Sequence, residues 1–184
     1  MTEFSLVPHP DLPHPKIAID VEVARTPEGM FVLRYVATGE VGRIKIPEPV
    51  AYSSRHDNLW QSTCFEAFVR PDATPTYVEF NFAPSTGWAA YHFSTYRERE
   101  NSFAFPPPHF DVDIEAERLI VTVALDTTET PLLSRNTPWR LGVSAIIEVR
   151  DGTKSYWALA HSPGKPDFHN ADCFTARLAA PERA

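Results

Sequence analysis

Acids, an amide and an imidazole occupy positions in the middle of this sequence where a buried strand would ordinarily carry Val or Ile. Three short apolar runs follow one another between residues 59 and 97, and they contain Glu66, Glu79, Asn81 and His92. Because successive side chains of a strand point to opposite faces, this alternate spacing can place all four on one face of a sheet. Burying such groups without partners costs about 2–7 kcal/mol each. They must therefore bind one another or a ligand.

Two tryptophans and an arginine lie beside these polar groups and indicate what the ligand would be. Trp60 and Trp88 stand at the ends of predicted strands, and Arg97 follows the third run. A sugar offers hydroxyl groups for paired hydrogen bonds and flat C–H faces for stacking on aromatic rings. The sequence therefore predicts a saccharide site in which both tryptophans stack on the sugar. The hydrogen-bonding residues would be Glu66, Glu79, Asn81, His92 and Arg97.

An internal network is the structural alternative, and it would satisfy the same acids without a ligand. Arg34, Arg55 or Arg97 could neutralise Glu66 and Glu79 in the fold. The two tryptophans would then pack in the core or at its rim. The sequence leaves both arrangements open.

Catalysis has less support than binding. Glu66 and Glu79 on neighbouring strands could act as acid and base in sugar hydrolysis. However, the sequence contains no HExxH or GxSxG motif and no phosphate-binding glycine loop, and it has only 7 glycines in all. We therefore expect a non-catalytic protein without a cofactor, and a glycan-processing enzyme is the alternative.

A late loop, residues 162–170, carries Asp167 and His169. Together with His161 these two residues could hold a metal ion, although their spacing fits no standard ligand motif. We favour a structural role, in which Asp167 caps the turn through the backbone and His169 anchors the loop by hydrogen bonds. No metal site is predicted.

Composition and charge exclude several classes of function. The net charge of −7 and the lack of any Lys and Arg run argue against nucleic-acid binding. No apolar stretch reaches the roughly 18 residues that span a bilayer, and the N-terminus lacks the features of a secretory signal. We expect a cytoplasmic protein, monomeric or weakly dimeric, in which Cys64 and Cys173 are free thiols.

Alternating hydrophobicity predicts many short strands and almost no helix. The 184 residues, with 18 prolines, fit one domain. Residues 1–15 contain four prolines and predict an extended arm, too proline-rich for a central strand. One short helical turn is predicted over 126–130, just before Pro131. Besides the three central runs, strands are predicted at 17–24, 30–38, 41–46, 110–115, 118–125, 139–150, 154–161 and 173–179. The expected fold is all-β: a two-sheet antiparallel β-sandwich of roughly ten strands over residues 16–180.

The order of several segments carries a resemblance to a known family. They are Cys-Phe-Glu-Ala-Phe-Val (64–69), Tyr-Val-Glu-Phe-Asn-Phe (77–82), residues 88–97, Tyr-Trp-Ala-Leu-Ala-His (156–161) and Lys-Pro-Asp-Phe-His (165–169). Together they resemble the bacterial DOMON-like proteins, which are related to family-9 carbohydrate-binding modules and to haem-binding DOMON domains.

The resemblance implies an immunoglobulin-like β-sandwich with a pocket that takes either a sugar or haem. In family-9 modules two tryptophans clamp a terminal sugar, and Trp60 and Trp88 are similar to that pair. For haem the candidate axial ligands would be Met30, His92 and His161. Fold analogy does not choose between these ligands.

Overall fold

The computed structural model describes residues 1–48, 53–72 and 74–182, and its regular structure is almost entirely β. Among these residues only the strands β4 and β7 pair in parallel, and every other pairing is antiparallel. The strands are β1 (Thr2–Pro8), β2 (Ile17–Arg25), β3 (Met30–Gly39), β4 (Ser54–Arg55), β5 (Cys64–Pro71), β6 (Tyr77–Phe82), β7 (Gly87–Thr95), β8 (Glu98–Arg99), β9 (His109–Ile114), β10 (Arg118–Asp126), β11 (Trp139–Glu148), β12 (Lys154–Ala158) and β13 (Ala176–Leu178).

The strands join edge to edge in the order β4-β7-β6-β5-β11-β12-β1-β2-β3-β10-β9, while β13 pairs with β11 and β8 with β7. Strand β1 connects the two halves of this sheet. Its residues 2–6 pair with β2, and Val7 and Pro8 pair with β12. The prediction of an all-β fold with little helix is confirmed. The strands form one continuous sheet. The predicted division into two separate sheets is therefore not confirmed and stays a prediction.

The main core lies between the two halves of the sheet, which face each other. Phe31 of β3 meets Trp139 of β11 edge to face, with ring centroids 5.4 Å apart. Tyr35 packs on Phe65 at 5.0 Å and donates a hydrogen bond from its hydroxyl to the Glu66 carbonyl at 2.8 Å. Full burial of such side chains contributes about 1.5–3 kcal/mol each. This packing holds the strands that carry the acids in a fixed position.

A second apolar cluster covers the opposite face of β5, β6, β7, β11 and β12. Phe68, Tyr91 and Phe93 belong to this cluster on the strands, and Phe168 and Phe174 reach it from the segment after β12. The segment includes the predicted loop 162–170, which lies over this outer face. The polar groups of interest therefore lie between the sheet and its covering loop.

Two predicted elements differ from the structure near the N-terminus. The arm was expected to avoid a central strand, but β1 lies between β2 and β12. The reason is that the first of its prolines, Pro8, closes the strand and the others follow it. The third predicted strand, 41–46, is a 3-10 helix at Val41–Arg43 followed by a single bridge between Ile44 and Val149.

The remaining boundaries are close to those predicted. The predicted helical turn is displaced: Asp126 still belongs to β10, and a 3-10 helix forms at Pro131–Leu133, where a proline suits the first helical position. The last predicted strand is shorter, because a 3-10 helix at Ala171–Cys173 precedes β13. The sequence also predicts an irregular loop over residues 50–58, and part of this loop lies outside the described residues. Both cysteines are buried and free. Within the described ranges, no helix has the length and apolarity needed to cross a bilayer.

Candidate functional site

A partly open cavity of about 520 Å³ lies on the outer face of the sheet, over β5, β6 and β7. Four of the predicted binding residues line it: Trp60, Glu66, Glu79 and Arg97. Further lining residues include Tyr91, Phe93, Arg99, Tyr156, Phe168 and His169. The cavity thus combines aromatic surface with acids and guanidinium groups.

Strand register places Glu66 and Glu79, hereafter the acid pair, on this face. Glu66 of β5 stands opposite Asn81 of β6, and Phe68 stands opposite Glu79. The two glutamates are therefore diagonal neighbours across adjacent strands, close enough for their side chains to interact. On the other side of β6, Tyr91 stands opposite Glu79 and continues the same face.

Glu66 is the more buried of the two acids, with 3% of its surface exposed against 6% for Glu79. Its Oε2 atom accepts a hydrogen bond from the Ser144 hydroxyl at 3.0 Å. Burial, followed by the charge of Glu79, raises the pKa of the Glu66 carboxyl well above its usual range. A proton is therefore retained on this acid at a pH where an exposed glutamate has lost it.

Glu79 is held from two sides. Its Oε1 accepts a 2.6 Å hydrogen bond from Asn81 Nδ2, and its Oε2 lies 3.6 Å from His169 Nε2. Burial raises the pKa of Glu79, while the Asn81 hydrogen bond and the charges of Arg99 and Arg97 act in the opposite direction. Asn81 itself does not line the cavity, so it positions Glu79 from behind.

His169 joins the covering loop to the sheet. Its Nδ1 lies 2.8 Å from the Tyr77 hydroxyl, which also accepts the backbone N–H of Arg97 at 3.1 Å. Desolvation and the Arg97 charge lower the pKa of His169 to about 4. The ring is neutral at pH 7, so its contact with Glu79 is not an ion pair. If Tyr77 donates to Nδ1, the remaining ring proton sits on Nε2 and points toward the Glu79 carboxylate.

Asp167 fixes the same loop to the turn between β7 and β8. It accepts hydrogen bonds from the Tyr96 hydroxyl at 2.5 Å and from Arg97 Nη2 at 2.7 Å. It also accepts the His169 backbone N–H at 3.2 Å. The predicted structural roles of Asp167 as a turn cap and His169 as a loop anchor are confirmed.

No arginine contacts the acid pair directly in the described part of the chain. Arg34 binds Glu22 at 2.9 Å, and Arg97 binds Asp167. Arg55 donates to the carbonyl oxygens of Phe103 and Ala90. No hydrogen bond or ion pair joins an arginine to Glu66 or Glu79 in the described part of the chain. The structural alternative, an internal network of direct arginine contacts, is therefore not formed.

Two aromatic residues define the mouth and one wall of the cavity. Trp60 belongs to a 3-10 helix at Leu59–Gln61 and is 49% exposed. Tyr91 donates its hydroxyl proton to Asp57 at 2.7 Å, and the Arg99 guanidinium carbon lies 3.9 Å from the centre of its ring. Trp60 therefore keeps a free face for a ligand, while Tyr91 is held in place.

Trp88 and His92 depart from the predicted arrangement because they lie on the other face of β7. The register sets Trp88 opposite Phe82 and His92 opposite Val78, on the side of the main core. Trp88 is only 3% exposed, and the His92 ring lies 5.9 Å from that of Phe103. Neither residue lines the cavity.

Comparison with known proteins shows where this fold occurs. No family model matches the sequence, and no curated protein matches it. Among solved structures, a candidate carbohydrate-binding protein from Bacteroides uniformis superposes with a TM-score of 0.66 at 13% identity, over 97% of this chain and 85% of that one.

A family-9 carbohydrate-binding module from Caldicellulosiruptor kristjanssonii gives similar results. Its complex with glucose has a TM-score of 0.61 at 7% identity, over 94% of this chain and 81% of the module. A family-9 module from the same organism in complex with cellotriose has a TM-score of 0.64 at 6% identity, over 94% of this chain and 79% of that one. The chain shares its fold with carbohydrate-binding modules. None of these likenesses bears on the DOMON resemblance, which stays a prediction.

The cavity also contains residues that the sequence did not predict to bind the ligand, chiefly Arg99, Tyr156 and Phe168. Arg99 lies in the segment 95–109, which the sequence predicts to be a long loop but which contains the short strand β8. Phe168 belongs to the covering loop. Tyr156 lies on β12. Its cross-strand partner on β11, Ile146, also lines the cavity. Alternation along β12 shows which of its residues share a face with Tyr156. Only the β11–β12 register shows that this face is the one that lines the cavity.

The three candidate haem ligands are not brought together at the cavity. Met30 begins β3, His92 faces the main core, and His161 Nε2 lies 2.9 Å from the carbonyl oxygen of Val7. None of the three lines the cavity. In the described ranges, no group of three or more His, Cys, Asp or Glu side chains is placed to hold a metal ion.

Proposed function

We propose that this protein binds a saccharide or a sugar-containing metabolite in the cavity and leaves it chemically unchanged. The observation that carries the proposal is the half-exposed ring of Trp60 at the mouth of a cavity that holds two buried carboxyl groups. A sugar ring stacked on the indole would direct its hydroxyl groups toward the acids. Few other ligands need both a flat apolar surface and several acceptors.

Arg97 and Arg99 complete the set of hydrogen-bonding groups. Their guanidinium groups donate, whereas ionised carboxylates accept, so the cavity can bind both the protons and the lone pairs of sugar hydroxyls. Arg97 is held by Asp167, which limits the side-chain entropy lost on binding. A preorganised site of this kind needs little rearrangement to bind a small ligand.

The fold supports the same proposal by analogy. Two of the structural neighbours were solved in complex with glucose and cellotriose, and both are binding modules rather than complete enzymes. The facing halves of the sheet also support the finer description as a β-sandwich with an immunoglobulin-like layout. We further propose a cytoplasmic protein, monomeric or weakly dimeric, which suits a soluble metabolite better than polymeric glycan.

Calorimetric titration with glucose, cellotriose and a broad panel of monosaccharides tests this proposal. Binding should weaken about fivefold or more in Trp60→Ala, because loss of an aromatic stacking partner and of the apolar area that it buries costs at least about 1 kcal/mol. Ile114→Ala is the matched control, since Ile114 is also half-exposed (52%) but lies on β9 in the other half of the sheet. A panel without any binding sugar, or binding that Trp60→Ala leaves untouched, would overturn the proposal.

A glycan-processing enzyme is the second candidate, favoured by the diagonal placement of the acid pair on one face. A protonated Glu66 beside a second carboxyl is the pairing that acid–base hydrolysis of a glycoside requires. Incubation with aryl glycosides tests this alternative. Hydrolysis that disappears in Glu66→Gln would establish it, and the absence of hydrolysis across the panel would remove it.

A further inference from the structure

Each arginine that lines the cavity has an acidic partner of its own. Arg97 Nη2 lies 2.7 Å from Asp167 Oδ1, and Arg99 Nη2 lies 3.7 Å from Asp57 Oδ1. Arg99 also stacks on Tyr91, whose hydroxyl binds the same Asp57. Each guanidinium group of the cavity wall therefore contacts an acid other than Glu66 and Glu79 before any ligand binds.

The acid pair has no positively charged partner in direct contact among the described residues. Glu66 receives a hydrogen bond only from the Ser144 hydroxyl, and its Oε1 has no hydrogen-bond partner among the described residues. Glu79 receives one only from the Asn81 amide. His169, whose Nε2 lies 3.6 Å from Glu79 Oε2, carries no charge at neutral pH. Two carboxyl groups are thus buried with neutral donors, where a cation would be strongly favoured.

The aromatic walls suit a cation as well as a sugar ring. Trp60 and Tyr156 both line the same cavity as the acid pair. The faces of indole and phenol rings attract positive charge, most strongly where water is excluded. A ligand that combines a saccharide ring with an ammonium group would use every part of this surface.

We propose that the ligand is an amino sugar, whose protonated primary amine is bound between Glu66 and Glu79 while its ring stacks on Trp60. This inference rests on the proposed function and names the class of saccharide. A neutral hexose would leave the acid pair without a counter-charge. The ammonium group provides three donors to oxygens that the protein leaves available.

Binding of an ammonium group also has a consequence for protons. A cation next to the acid pair favours its ionised form, so the complex holds fewer carboxyl protons than the free protein. Proton release at neutral pH is therefore expected with an amino sugar. A neutral hexose in the same place has no charge that would drive it.

The test is calorimetric titration of the intact protein with D-glucosamine, D-glucose and N-acetyl-D-glucosamine at neutral pH. The last compound has the same ring and substituent position, but its nitrogen carries no charge. Glucosamine should bind about tenfold or more tightly than either of the others, the range expected of hydrogen bonds between charged groups. Repeating the titration in two buffers of different ionisation enthalpy measures the released proton.

Variants separate the role of the charge from that of the cavity. In Glu66→Gln and Glu79→Gln, the ratio of glucosamine to glucose affinity should collapse toward one. Glu148→Gln is the matched control, because Glu148 is also buried (8% exposed) but binds Lys45 and Ser62 away from the cavity, and it should keep the ratio. Should the first two variants fail to fold, proton release by the unmodified protein supplies the same information.

The outcomes distinguish this inference from the proposal it rests on. If glucose binds and glucosamine binds no more tightly, the amino-sugar inference is overturned and saccharide binding stands. Ethylammonium binding as tightly as glucosamine would also overturn it, because the site would then recognise only a cation. If none of the sugars binds, both are overturned. Preference for glucosamine with proton release supports the inference.

Discussion

The hydroxyl of Tyr77 lies 2.8 Å from Nδ1 of His169 and fastens the covering loop, residues 162–170, to the sheet. The same oxygen accepts the backbone N–H of Arg97, in the turn between β7 and β8. One side chain thereby fixes two walls of the cavity. The relative position of these two walls therefore depends on the Tyr77 hydroxyl.

Tyr77→Phe should loosen both walls without changing the packing of the ring. We expect the free energy of unfolding to fall by about 1–2 kcal/mol, because Nδ1 of His169 and the N–H of Arg97 lose their partner. Urea denaturation measures the change, and limited proteolysis should cut the covering loop faster. Tyr156→Phe is the control, since no hydrogen bond of its hydroxyl is found in the described structure. Equal stability of the two variants would contradict the role assigned to Tyr77.

Asn81→Leu should expose how far the acid pair depends on its support. Removing the amide leaves Glu79 Oε1 buried without a donor, which costs about 1–3 kcal/mol. The pKa of Glu79 should rise further, because the Asn81 hydrogen bond lowers it. Urea denaturation and NMR titration of the carboxyl carbon measure the two effects. Asn101→Ala, at an exposed residue, should change stability by less than about 0.5 kcal/mol. A Glu79 that titrates as before would argue against the contact.

Glu66→Gln should stabilise the protein, and increasingly so as the pH rises. The folded-state pKa of Glu66 lies above the unfolded value of about 4.3, so between the two the folded state binds more protons and loses stability with rising pH. Glutamine does not titrate, so the variant escapes this loss. We expect a gain of about 1 kcal/mol or more at pH 8, shrinking toward pH 5.

Glu148→Gln provides the opposite sign in the same experiment. Hydrogen bonds from Ser62 and then Lys45 lower the pKa of Glu148, so its ionised form stabilises the fold at neutral pH. This variant should lose stability relative to the unmodified protein at pH 7 and recover as the pH falls below about 4. If both variants respond to pH alike, burial does not raise the pKa of Glu66.

His169 should stay neutral far into the acid range. Its folded pKa of about 4 lies below the unfolded value of about 6.5. The stability that it contributes is therefore present above pH 6.5 and is lost as the pH falls through this window. Nitrogen-15 NMR of the imidazole should show a neutral ring at pH 5.5 with the proton on Nε2. A ring that becomes charged near pH 6.5, or a proton on Nδ1, would disagree with the geometry described.

Alternation along single strands could be read from the sequence, and it predicted much of the fold. The β2–β3 hairpin follows from alternating apolar residues on either side of a turn, where Gly29 adopts φ of +102°. Strand β1 is hard to predict because it opens a proline-rich segment. Only Pro8 belongs to the strand, and it stands at the last position, where the missing N–H disrupts no pairing within the strand.

The register between strands could not be read, and the site depends on it. The prediction that Glu66 and Glu79 share one face is correct. It depends on the β5–β6 register, because a shift of one residue would place the two acids on opposite faces. His92 has the wrong parity because the β6–β7 connection, which contains Thr86 at φ of +68°, sets Tyr91 rather than His92 opposite Glu79. A change of one residue in this turn would exchange the two faces. Local pattern gives parity within a strand, whereas turn geometry gives parity between strands.

The indole N–H signals of the four tryptophans provide the most direct measurement of the central claim. Trp60 stands at the cavity mouth, whereas Trp88, Trp139 and Trp157 are buried away from it. Addition of glucosamine, glucose or cellotriose to nitrogen-15-labelled protein should shift the Trp60 signal and leave the other three in place. A Trp60 signal that none of these sugars moves, or shifts confined to the buried indoles, would contradict saccharide binding in this cavity.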